Sequence, residues 1–388
     1  MSRKVFAALF LVSWCWFAPA WAADVPAAVE ARVPFAPGPF VGSDGLMHLA
    51  YELHVTNFYG DNGALTPQGL KVFGDDVGNP LLALDAGGLT QIVASAPAAG
   101  VPVSIQPGKR SIFFVWITLP TGAAIPHVLR HRMEFSDAKH AVTVLDGVAV
   151  PVTAEKAVLI GQPLRGGRWW AHEGPGNAHS HHWGSLVAVN GWLTIPQRYA
   201  LDLVGLDADG HVMHPGVKDI QKSTYADWVG YGADVLAVAD GVVREMRDGE
   251  QEHQPLSPQP EPTSLTADGL FGNYIVLEIR PGVFASYAHL QRGSVKVKPG
   301  EHVRKGQVLA HLGQSGNSAA PHLHFQLSNA ATFEGSEGIP YVFEHFASLG
   351  PESEAQVFGQ DASWKAADNQ QSEAQMPLND IVVRFPDL

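Results

Sequence analysis

The 388-residue sequence carries 25 Lys and Arg against 38 Asp and Glu, a formal net charge of −13 with His neutral. An acidic chain of this kind argues against general binding to nucleic acid or to anionic membrane surfaces. The one cysteine, Cys15, has no partner for an intrachain disulfide and can contribute to no cluster of thiolate ligands, so stability has to come from apolar cores, and the chain is long enough for two of them.

Arg3 and Lys4 open the chain, Val5 to Phe17 is an apolar run, and Ala20-Trp21-Ala22 has a small-x-small cleavage pattern. Residues 1–22 therefore read as a secretory signal peptide. The run is shorter than the ~20 residues a membrane-spanning helix needs, and Trp14 in front of Cys15 argues against a lipid anchor. The expected location is periplasmic or secreted, with no integral membrane segment.

Beyond the leader, short apolar alternations punctuated by Gly and Pro predict an all-β protein. Residues 30–160 form the first expected domain, with strands at Leu46–Val55, Gly69–Phe73, Leu81–Leu84, Ser111–Leu119, Val128–Glu134 and Ala141–Leu145. Turn signals such as Asp61-Asn62-Gly63 and Pro107-Gly108 separate them. That spacing suggests an antiparallel β-sandwich, immunoglobulin-like in character. His127, His131 and His140 read as surface or strand residues there. Residues 161–177, with Gly166-Gly167 and Trp169-Trp170, read as a linker whose aromatics either pack or line a groove. Residues 178–330 form the second domain, interrupted by a polar insertion at Glu250–Asp268, and 331–388 read as a C-terminal extension with one apolar strand-like piece, Asp380–Phe385.

Chemistry concentrates in the second domain. In Pro321-His322-Leu323-His324-Phe325 a strand would put both imidazoles on one face and Leu323 and Phe325 on the other. Tyr287-Ala288-His289-Leu290 is a second strand ending in histidine, and Asp202 ends an earlier one. Together with Ala239-Asp240-Gly241, Gly272-Asn273-Tyr274, Val303-Arg304-Lys305-Gly306-Gln307 and Gly316-Asn317-Ser318, these segments resemble, in order and type, the M23 (LytM-like) peptidase family. The resemblance covers nearly all of 178–330. It implies an antiparallel β-sheet groove holding one Zn2+, with Asp202 and His324 as metal ligands, His322 as the residue that orients or deprotonates water, and His289 as the second catalytic histidine. It further implies a zinc metalloendopeptidase whose partner is peptidoglycan, cut in its stem peptides or cross-bridges, or another peptide substrate.

The family pattern has a histidine four residues before the aspartate; here that position is Arg198, and a guanidinium that stays protonated cannot ligate zinc. Asn190-Gly191 is a strong two-residue hairpin signal. An ideal hairpin with Val189 opposite Trp192 puts His181 opposite Ala200 and His179 opposite Asp202. His181 is the expected third ligand, with His182 and His179 behind it, and one bulge would exchange the faces. Two other readings stand beside the enzyme: a metal-free scaffold that binds cell wall or regulates other wall hydrolases, and a lipoyl-like carrier module, which lacks a modifiable lysine at a matching hairpin tip.

Overall fold

The computed structural model describes residues 24–75, 78–258, 262, 264–359, 363–367 and 369–387; the expected signal peptide lies outside them. The regular structure of the described chain is almost entirely β-strand, mostly paired antiparallel, and no described helix is long and apolar enough to cross a membrane.

In the N-terminal part, two four-stranded sheets face each other. One is organised around the pair Met47–Asn57 and Lys109–Leu119, matched from Met47 opposite Leu119 to Asn57 opposite Lys109. The other joins Leu82–Asp85, Thr66–Phe73, Val128–Ser136 and Val142–Pro151. Leu49, Tyr51, Leu53 and Val55 alternate onto one face of the first sheet and pack with Leu70, Val72, Met133 and Phe135 of the second. The layering is that of a β-sandwich.

The opposite face of Met47–Asn57 is not solvated. His48, Glu52 and His54 are buried on it, and Ala50, Ile112 and Phe114 belong to the core of the C-terminal part. That part is built on one eleven-stranded sheet. From one edge its strands are His302–Val303, Gly241–Arg247, Tyr274–Arg280, Val283–Ala288, Leu323–Ser328, Leu201–Leu206, Arg168–His172, Ile381–Arg384, Tyr341–Pro351 and Gln370–Gln375, with Val158–Ile160 pairing Tyr341–Pro351 in parallel.

Two of the expected segments contribute strands to the large sheet. The linker 161–177 supplies Arg168–His172, which pairs on both sides within the large sheet. The extension 331–388 supplies three strands of that sheet rather than one. Its polar strand Gln370–Gln375 gave no apolar signal because it pairs only at an edge.

Candidate metal centre

Asp202 sits in the Leu201–Leu206 strand, and its ladder neighbours fix what surrounds it: His324 lies directly across on Leu323–Ser328 and His172 across on Arg168–His172. His322 stands just before the Leu323–Ser328 strand, two residues from His324, and Leu323 and Phe325 turn into the core on the other side. His289 follows the Val283–Ala288 strand in a left-handed conformation, φ 60°. Its backbone N–H donates to Phe271 O and its Nδ1 to Ser315 O. These anchors meet where Gly272 and Gly316 touch backbone to backbone; a Cβ on Gly272 would lie 2.3 Å from Gly316 N, so neither position accommodates a side chain.

The hairpin at Asn190-Gly191 forms with the expected register, Val189 opposite Trp192 through Val187 opposite Thr194, with both turn residues at positive φ, 51° and 84°, as a type I′ turn requires. It ends there. Residues 181–184 form a turn instead of continuing the strand, because the Ser180 carbonyl accepts from Gly184 N and the Ser180 hydroxyl from His182 N. The face-by-face pairing of His181 with Ala200 therefore does not exist. His182 is the histidine turned inward: its side chain is 2% exposed and its Nε2 lies 3.3 Å from Asp202 Oδ1. His181 is 63% exposed, with Nε2 3.8 Å from Asp202 Oδ2. His181, His182 and Asp202 together form a group able to hold a metal ion. His179 is exposed. Arg198 turns away from the cluster into a buried ion pair with Glu52 and Glu337.

His324 Nδ1 lies 3.1 Å from both His182 Nε2 and Asp202 Oδ1. His182 Nε2, His324 Nδ1 and Asp202 Oδ1 are thus 3.1–3.3 Å from one another. A tetrahedral metal with bonds of ~2.0–2.1 Å has donor–donor edges of ~3.3 Å. Proton placement makes the fit chemical as well as geometric. A neutral imidazole carries one N–H, and each ring here has a carbonyl acceptor on its far nitrogen. His182 Nδ1 donates to Glu173 O at 3.0 Å. His324 Nε2 donates to Gln326 Oε1 at 2.9 Å, and the Gln326 amide is oriented by its own donation to Pro196 O. In that tautomer the near nitrogens present lone pairs towards a carboxylate, an arrangement that a cation can bridge. Carbonyl partners on the outer nitrogens are also what orients histidine ligands in metal sites.

Two more imidazoles carry their proton on Nδ1, as His182 does and His324 does not. His322 Nδ1 donates to Ala320 O at 2.8 Å, leaving Nε2 3.3 Å from Asp202 Oδ1. His289 Nδ1 donates to Ser315 O at 2.8 Å. Burial opposes the Asp202 charge, yet His322 and His182 outweigh it and hold the carboxyl well below its usual range. For His322 burial is likewise outweighed, by Asp202, and its pKa rises. Burial, reinforced by His322 and His324, pushes His289 well down.

Beside the cluster opens a cleft of about 340 Å3. His181, His289 and His322 line one side, and Trp170, Trp228 and Phe358 give it an apolar wall. Of the two junction tryptophans, Trp169 packs in the core while Trp170 reaches the cleft. Leu256 of the polar insertion also lines it.

Residues 226–334 match the model of Peptidase family M23. The match contains His289, His322 and His324; Asp202 and His182 lie before it. A 115-residue stretch is 29% identical to the peptidoglycan DD-endopeptidase ShyC of Vibrio cholerae, covering 29% of this chain and 22% of that protein. A 119-residue stretch is 31% identical to lysostaphin of Staphylococcus simulans, covering 29% of this chain and 24% of that one. The chain thus spans less than a quarter of the length of these curated relatives. The crystal structure of the lysostaphin catalytic domain from the same organism aligns with 34% of this chain and 86% of its own at 22% identity, TM-score 0.21. The M23 region supports a peptidase, with peptidoglycan endopeptidases among its relatives.

Sequence reasoning missed two contributors. Gln326 continues the His322, His324 alternation by one more step, a spacing that could have exposed it. The Glu173 carbonyl left no trace in the sequence, since it acts through a backbone atom at φ 53°.

Proposed function

We propose that this protein is an exported zinc metalloendopeptidase acting on peptide bonds of bacterial peptidoglycan, with His182, Asp202 and His324 as the metal ligands. The observation that carries the reading is the mutual 3.1–3.3 Å approach of three donor atoms whose protons are held elsewhere. His182 replaces His181 in the expected set, because it is the one that reaches His324.

Zinc held by three protein donors supplies a Lewis acid that polarises a carbonyl and lowers the pKa of water towards ~7. His322 presents a bare Nε2 and accepts the proton of the attacking water; Asp202, 3.3 Å away, favours the imidazolium that results. His289 has no Nε2 proton in its tautomer, so it orients water as an acceptor and donates to an oxyanion only after taking a proton. The wall of Trp170, Trp228 and Phe358 receives an apolar part of the peptide and excludes water.

The test is elemental zinc analysis with a cross-link cleavage assay. About one zinc per chain and chelator-sensitive cleavage support the reading. A protein that takes up no zinc even when metal is supplied is instead a metal-free wall-binding or regulatory scaffold.

A further inference from the structure

We infer that Glu52, in the N-terminal β-sandwich, is a positioning residue for the metal ligand His182; the inference rests on the zinc reading above. His182 lies in a turn, so no ladder holds it. What docks the turn on the N-terminal sheet is its next residue. Trp183 is buried, its indole packs on Phe114 and Trp116 with ring centroids 5.4 and 6.1 Å away, and its Nε1 donates to Glu52 Oε1 at 2.5 Å. Glu52 is itself immobilised: Arg198 Nε donates to its Oε1 at 2.8 Å and Arg198 Nη2 to its Oε2 at 2.7 Å. Arg198 is in turn fixed by Glu337 Oε2 at 2.7 Å and Gly338 O at 3.1 Å.

The turn is therefore pinned at two successive residues in different places. His182 Nδ1 is held by Glu173 O, and the Trp183 indole is held by the sandwich. A shift of the indole by a few tenths of an ångström carries the His182 ring with it. The N-terminal sheet thus helps to position the metal centre.

The experiment measures the Zn2+ dissociation constant by competition with a chromophoric chelator, in the full chain. It compares wild type with Glu52→Gln, Trp183→Phe and the control Leu70→Ala, which damages the sandwich core far from the turn. Glu52→Gln places an amide N–H against the Arg198 or Trp183 donors; Trp183→Phe removes one hydrogen bond and keeps the ring and the Glu52–Arg198 pair. Both variants are expected to bind one zinc about 10–100-fold more weakly, while Leu70→Ala lowers Tm and keeps the wild-type constant. If Glu52→Gln does not fold, Trp183→Phe decides. Wild-type affinity in the folded variants overturns the inference and leaves the zinc centre standing. Equal weakening in Leu70→Ala overturns it too, since affinity would then follow global stability. No zinc in wild type overturns both readings together.

Discussion

In the proposed metal centre, His324 and His182 do the same thing by different means. His324 is set by a β-ladder: Asp202 lies across from it on one side and Ala288 on the other, and its outer nitrogen is held by Gln326 two residues along the same strand. His182 sits in a turn without ladder partners and is held by a backbone carbonyl and by the docking of Trp183 on another sheet. A ligand on a strand is placed by local geometry; a ligand on a turn has to be placed by the rest of the molecule.

The contrast can be broken at several points. The largest effect is expected at the donors themselves: Asp202→Asn or His324→Ala abolishes stoichiometric zinc, read by elemental analysis, and with it cross-link cleavage. Next comes Glu52→Ala, which leaves the Arg198 guanidinium buried with only Glu337 as counter-charge. Removing one partner of a buried ion pair costs about 3–5 kcal/mol, so chemical denaturation is expected to show a loss of that order; a change under about 1 kcal/mol contradicts the buried geometry. Gln326→Leu removes the acceptor that keeps the His324 proton on Nε2, and zinc affinity is expected to fall about 10–100-fold with little change in Tm. The smallest effect concerns mobility. Chelation of zinc is expected to raise amide hydrogen exchange in the 181–184 turn while the Leu323–Ser328 strand keeps its protection; equal responses would remove the distinction between the two ligands.

The same division explains what could be read from the sequence. The strands of the sandwich were legible because alternation on a two-residue period marks a face, and the observed Lys109–Leu119 and Val128–Ser136 contain the expected ones. His322 and His324 were legible for the same reason, His289 and Asp202 through the family resemblance, and the four lie side by side. Two things escaped. The polar positions His48, Glu52 and His54 look like a solvent face, yet they are buried because the second core covers them, and no local pattern announces a partner that distant. The hairpin register was right for its three pairs and was then extended past its end. Ser180 closes the 181–184 turn with its own carbonyl and hydroxyl, and this turns His182 inward and leaves His181 exposed. Adjacent residues in a turn are separated only by three-dimensional context, so His181 and His182 could not be told apart by spacing.

The most direct test of the account is zinc content in His181→Ala and His182→Ala, purified in parallel with wild type. The account predicts about one zinc per chain in wild type and in His181→Ala, and none retained in His182→Ala. Zinc lost from His181→Ala and kept in His182→Ala would contradict it.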